Sequence, residues 1–285
     1  MNLLVRLATA GLLKATWVST LHSHPDFDFL SSRFKSYWLP RLNRWTLWST
    51  AGVFVVNREF CSVLPGKSCF FVPNGADIKP LGGSRETYRQ QLRERLGVPP
   101  CAPLVGAVAR LDPVKGLATF IRSVAYVEDK QVHFVLVGDG PDRDRLERLA
   151  MDLGVAARVH FSGFIQPPYE TYAGLDLNVL PSLREGMGYS ILEAGILGVP
   201  TVGSDISGVR QLIATGTTGM LFPVGDAQAL AAAIDWMLGN RHEANRMVEA
   251  FHRTVVPNYT PEAMLSAYLN GYEQLTAMRG RQTQA

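Results

Sequence analysis

Two carboxylates frame a glycine loop in REGMGYSILEAG, residues 184–195. Glu185 precedes Gly186-Met187-Gly188, and Glu193 follows with seven residues between the two acids. A glycine loop that runs into a helix presents unbonded N–H groups and the positive end of the peptide dipole, a setting suited to a diphosphate. A carboxylate on the first turn, Glu193, can then accept hydrogen bonds from two sugar hydroxyls. Glu185, on the strand side of the loop, can face the same pocket. The plainer reading of the same residues is a capping box, with Ser190 at the N-cap and Glu193 reaching back to its amide. A second cluster lies upstream in ARLDPVKG, residues 109–116. Arg110 ends an apolar run and Lys115 precedes a helical pattern. A guanidinium binds phosphate bidentately and an ammonium acts as a point charge, so the two suit two phosphates. The alternative there is a solvated turn.

These groups meet only if a fold brings them to one edge. LVGAVAR, HFVLVGDGP, VHFSGF, LDLNVLP, VPTVGSD and GMLFPVGD read as six strands. They are nearly continuous in apolar residues and alternate with helical segments such as KGLATFIRSVAYV and RDRLERLAMDLG. That alternation predicts an α/β fold, a doubly wound parallel sheet covered on both faces, with ligands at the carboxyl ends of the strands. Residues 77–258 are expected to form this Rossmann-like domain. Residues 1–76 supply only two or three strands, around ATWVSTLHSH and VFVVN, with a helix near PRLNRWTLWSTAG; FFVPNGADIKP reads as a linker. The last helix, within residues 259–285, is expected to pack back towards the N-terminal part.

The 285 residues are 47% apolar, enough for a sizeable core, and 19% charged, low for a disordered chain. A net charge of +3 gives no reason to expect a nucleic-acid partner. Cys61, Cys69 and Cys101 are odd in number and lack a CxxC, which argues against a disulfide framework and for a reducing, cytoplasmic setting. Arg6 and Lys14 interrupt the N-terminal apolar run, so no signal peptide is expected, and no uncharged 18-residue apolar stretch predicts a membrane span.

Taken together, VPNGAD, ARLDPVKG, FVLVGDGP, VHFSGF and REGMGYSILEAGILGVPTVGSDISGVRQLI resemble, in order and spacing, the retaining GT-B glycosyltransferases of family 4. The resemblance implies metal-independent transfer of a sugar from a nucleoside-diphosphate sugar, UDP-sugar favoured over GDP-sugar, to a hydroxyl of a carbohydrate or lipid-linked acceptor. No cofactor beyond that co-substrate is implied. Arg110, Lys115, Gly188 and Ser190 would hold the donor diphosphate. Gly186 and Met187 would line the sugar site, with the amides of the 186–188 loop turned to it. Glu193 would hold the ribose, Ile165 would contact the base through its backbone, and Glu185 and His22 would act on the transferred sugar. Met187 stands where the family usually has phenylalanine, and Asn57 where serine is commoner. The family's N-terminal domain also begins about a hundred residues earlier, so the acceptor-side domain is expected to be incomplete. That keeps open a second reading, a non-catalytic remnant that binds nucleotide sugar or a partner.

Weaker signals carry less. His22-Ser-His24-Pro-Asp26 looks like the start of a metallohydrolase motif, but the remaining histidines have no ligand spacing, so no metal is expected. Asp26-Phe-Asp28 and Asp142-Arg-Asp144 match the short DxD metal motif as chance would allow. GDGPDR lacks the third glycine of a dinucleotide loop. Residues 33–48 interleave four basic residues with Tyr37, Trp38, Trp45 and Trp48. They are either core aromatics among solvated arginines or a peripheral contact with the inner membrane face.

Overall fold

The computed structural model describes residues 17–24, 41, 44–78 and 81–282. Its contacts divide the chain into two units, Met1–Gly75 with Asn258–Ala285, and Ala76–Pro257.

In the first unit the described strands β1 (Val18–Leu21), β2 (Gly52–Val55) and β3 (Cys69–Phe71) form a parallel sheet in that order. β3 is a correction: it begins the stretch expected to be linker. Three residues bounded by Gly and Pro carry too little periodicity to show as a strand, but Phe54 pairs with Phe70 in register. A 3₁₀ turn over Arg58–Val63 follows β2, started by the Asn57 side chain accepting from the Glu59 amide at 3.0 Å. The turn brings Cys61 to a Cα distance of 5.7 Å from Cys69, and the two form a disulfide. This corrects the expectation of unpaired cysteines, and the argument for a reducing compartment loses its support. The long C-terminal helix over Pro261–Gln282 belongs to this unit. Its Tyr268 and Tyr272 rings lie 5.0 Å from Phe54, and Leu275 fills the space left by Gly52. Of residues 33–48, only Arg41 and residues 44–48 are described; Trp45 and Trp48 are exposed.

The second unit opens with α1 (Arg85–Leu96), started by Ser84 and stopped by Gly97 in the left-handed conformation. There follow β4 (Leu104–Val108), α2 (Leu117–Tyr126), β5 (His133–Val137), α3 (Arg143–Asp152), β6 (Val159–Gly163), α4 (Tyr169–Gly174), β7 (Leu177–Leu180), α5 (Tyr189–Ile196), β8 (Thr201–Ser204), α6 (Ser207–Arg210), β9 (Met220–Phe222), α7 (Ala227–Gly239) and α8 (Arg241–Thr254). All six strands are parallel, in the order β6-β5-β4-β7-β8-β9. Successive side chains of a strand face opposite sides, so Val105 and Ala107 enter one core with Phe120, Ile121 and Ile234. Leu104 enters the other with Leu92, Tyr172 and Ala194. The strand order reverses between β4 and β7, and crevices for ligands open at such a reversal, beyond the carboxyl ends of the strands. Among the described residues no helix is long and apolar enough to cross a membrane.

Candidate functional site

A cavity of about 650 Å³ lies at that reversal. It is walled by the ends of β4, β5, β6 and β7 and by the start of α5, and its lining includes Arg110, Lys115, Ile165, Glu185, Met187, Ser190 and Glu193.

Two loops set the basic side. After β4, Asp112 caps a 3₁₀ turn over Pro113–Lys115 by accepting from the Val114 amide at 3.2 Å. Gly116 ends the turn with φ +62°, and a Cβ there would collide with the carbonyl oxygen of Pro181. Only glycine lets this loop lie against the loop that follows β7. The Leu183 amide donates to the Val114 carbonyl at 2.9 Å and ties the two together. Lys115 is thereby delivered to Glu185: Nζ donates to Oε1 at 2.7 Å, and the buried Ser182 hydroxyl donates to the same oxygen at 2.7 Å. Glu185 Oε2 accepts from no described residue and is open to a ligand hydroxyl. Arg110 is exposed, and its guanidinium has no carboxylate partner among the described residues. Thus the cavity holds one cation neutralised by a local acid and one that is not.

The helix side departs from the expected capping box. Gly188, not Ser190, is the N-cap of α5, and no side chain caps the helix. Ser190 sits inside the first turn, with its buried hydroxyl beside the Tyr172 phenol. Glu193 lies two residues beyond the position from which a side chain reaches back to the cap. Its Oε2 accepts from the Tyr172 hydroxyl at 3.0 Å instead. The expectation that the Gly188 amide turns to the ligand is also corrected: it donates to the Gly208 carbonyl at 3.0 Å. Gly208 packs so closely on the Glu185 carbonyl that a Cβ would collide there, and Gln211 Nε2 donates to the Gly186 carbonyl at 3.2 Å. With those carbonyls held down, the amides of Gly186, Met187 and Ser190 remain without a described partner. They add to the dipole of the eight-residue helix, so this wall favours an anion.

Burial holds the Glu193 carboxyl above its ordinary range, and the Tyr172 hydrogen bond pulls it part of the way back. Burial, and then the charge of Glu193, push the Tyr172 phenol well up, so it stays a neutral donor. Sequence reasoning missed Tyr172: an aromatic in a short helix reads as core, and its partner lies 21 residues away.

His22 is not among the cavity residues; it belongs to the first unit, exposed just after β1. Asp26, Asp28 and most of 33–48 lie outside the described residues. Asp142 is engaged by Arg145, whose Nε and Nη2 each donate at 2.6 Å. Among the described residues no cluster of three or more His, Cys, Asp or Glu side chains could hold a metal ion.

The family described as glycosyl transferases group 1 matches residues 88–253. A lipopolysaccharide core biosynthesis glycosyltransferase of Rhizobium meliloti is 35% identical over 177 residues, covering 62% of this chain and 52% of its own. An alpha-D-kanosaminyltransferase of Streptomyces kanamyceticus is 35% identical over 58% of this chain and 43% of its own. The chain spans about half the length of the curated relatives it matches. Among solved structures, the Anabaena protein HepE in complex with UDP and glucose superposes with a TM-score of 0.79 at 22% identity, over 96% of this chain and 75% of its own. Sucrose-phosphate synthase from Thermosynechococcus elongatus gives 0.82 at 24% identity, over 96% and 71%. These neighbours place the α/β fold in the GT-B class. The family match covers more than half of the sequence, including the basic loop, the glycine loop and both acids, and the chain belongs to the glycosyl transferases group 1 family.

Proposed function

We propose that this chain is a retaining, metal-independent hexosyltransferase of family 4 that moves a sugar from UDP-sugar to a hydroxyl of a carbohydrate or lipid-linked acceptor. The observation that carries the reading is the convergence of Arg110, Lys115 and the open amides at the start of α5 on one cavity with two carboxylates. Breaking the bond between the anomeric carbon and the leaving oxygen places negative charge on the diphosphate. Preorganised cations and N–H groups stabilise that charge as it develops, at no reorganisation cost in the reacting moment. Same-face attack of the acceptor oxygen then retains configuration, its proton passing to the departing phosphate oxygen. Glu185, held by Lys115 and Ser182, orients the sugar through Oε2. The preference for UDP is supported by the UDP found in the HepE complex.

The test is calorimetric titration of UDP and GDP into the purified chain, with donor hydrolysis followed in parallel. UDP is expected to bind, and Arg110→Ala to weaken it by about tenfold or more, the worth of a charge-assisted phosphate contact. A chain that binds neither nucleotide overturns the reading, and binding without any hydrolysis moves it to the non-catalytic alternative. The same titration carries a pH signature. A carboxyl whose folded pKa is raised contributes stability below its unfolded pKa and loses it as pH rises through the folded one. Ribose hydroxyls need the ionised form, so UDP affinity falls as pH drops through the raised Glu193 value. The terminal phosphate of UDP titrates as well, and Glu193→Gln, which flattens only the Glu193 contribution, is the control.

The exposed indoles of Trp45 and Trp48 support peripheral contact with lipid at the acceptor side. Co-sedimentation with anionic vesicles should be reduced by Trp45→Ala/Trp48→Ala, and sedimentation unchanged by that pair rejects the contact.

A further inference from the structure

Tyr172 is one of the largest fully buried side chains, 1% exposed, and its phenol nonetheless borders the cavity. Its hydroxyl donates to Glu193 Oε2 at 3.0 Å. Glu193 Oε1 accepts from no described residue. A carboxylate with one oxygen pinned has its rotamer and plane fixed, and the other oxygen offers its lone pairs in one direction. The base of the phenol is itself rigid. Its helix α4 ends at Gly174, where any Cβ would meet Tyr88 and Leu92, and the Gly174 carbonyl accepts from the buried Arg93 at 3.1 Å. Reading a diol requires this kind of preorganisation, because an acceptor that swings between rotamers gains little from a correctly placed hydroxyl.

We propose that Tyr172 is the positioning residue for the ribose-binding carboxylate, and that through the Tyr172–Glu193 bond the site selects ribonucleotides over nucleotides lacking the ribose hydroxyls. This rests on the role given to Glu193 above. Tyr172 touches no reacting atom; it acts through Glu193 alone. A site whose polar groups are set for a hydroxyl rejects the analogue that lacks it, since those groups are left unpaired.

The experiment compares UDP with 2′,3′-dideoxy-UDP by calorimetry on the full chain, for wild type, Tyr172→Phe, Glu193→Gln and the double variant. Wild type is expected to prefer UDP by about tenfold or more, one hydrogen bond to a charged group being worth that factor. Tyr172→Phe should lose most of this preference by weakening UDP while leaving the dideoxy nucleotide within about twofold. On the Glu193→Gln background it should change nothing further. A merely structural role would weaken both nucleotides alike and add to the Glu193→Gln loss. If wild type fails to bind UDP, the functional reading itself falls. If wild type discriminates and Tyr172→Phe discriminates equally, that reading stands and the positioning role is overturned. Should Tyr172→Phe not fold by thermal melt, para-aminophenylalanine at position 172 keeps shape and donor: preserved selectivity supports the proposal, and lost selectivity overturns it.

Discussion

Lys115→Ala is expected to lower kcat/KM for donor turnover by about 100- to 1,000-fold, the usual cost of removing one preorganised stabiliser of developing charge. Two effects add. On the proposed role of Lys115, the ammonium no longer meets the leaving diphosphate, and Glu185 loses its counter-ion. With its side chain only 13% exposed, Glu185 would then be a partly buried anion beside the path of a dianionic ligand. Lys115→Arg should recover only part of the loss, because a planar fork does not reproduce a compact point charge held 2.7 Å from Glu185 Oε1. The double variant Lys115→Ala/Glu185→Gln separates the two effects. If stranded charge matters, the double variant binds UDP better than Lys115→Ala alone, a non-additivity expected for groups in contact. Initial rates of UDP release across a salt series provide the measurement. A Lys115→Ala rate within about threefold of wild type would refute the charge-stabilising role.

The parts of this molecule that could be read from the sequence share one physical property: their signal is local. Buried parallel strands are continuous apolar runs, so β4 to β9 stand out without knowledge of their neighbours. Arg110, Lys115, Glu185 and Glu193 could be assigned to one edge because each lies in, or one turn beyond, a loop that leads from the carboxyl end of a strand to the next helix. What escaped depends on partners distant in sequence. Tyr172 looks like core until Glu193 is placed beside its hydroxyl. The pattern of Ser190 and Glu193 fits a capping box by spacing, but the helix begins at Tyr189 and Gly188 is its cap. Cys61 and Cys69 are bridged because a 3₁₀ turn folds back on β3, and a count of cysteines contains no such information. Helix α1 is polar along its length, yet its Arg93 is 1% exposed.

Arg93 is the site of the largest expected stability loss. Its guanidinium pairs with Asp176, and Nε and Nη1 also donate to the carbonyls of Ala102 and Gly174 at 3.0 and 3.1 Å. Asp176 takes a second arginine, Arg89, at 2.7 Å, and accepts from the Leu104 amide at 2.8 Å. Burial lowers the Arg93 pKa and Asp176 opposes the shift, as expected for a charge that stays only because it is paired. Arg93→Met therefore strands two carbonyls and half of a buried carboxylate, and should cost about 3–5 kcal/mol. The pair itself is not a large net stabiliser. Arg93→Met/Asp176→Leu should recover a good part of the loss, since well-packed apolar residues replace buried ion pairs at little cost. Urea unfolding at constant m-value measures both, and a single-variant loss below about 1 kcal/mol would reject the assignment. The consequence reaches the cavity because of where the bonded segments lie. Leu104 begins β4, Asp176 precedes β7, and these two strands flank the reversal from which Arg110 and Glu185 emerge. Amide exchange in β7 should rise in Arg93→Met before global unfolding, and UDP affinity should fall with it, although Arg93 is not among the residues lining the cavity.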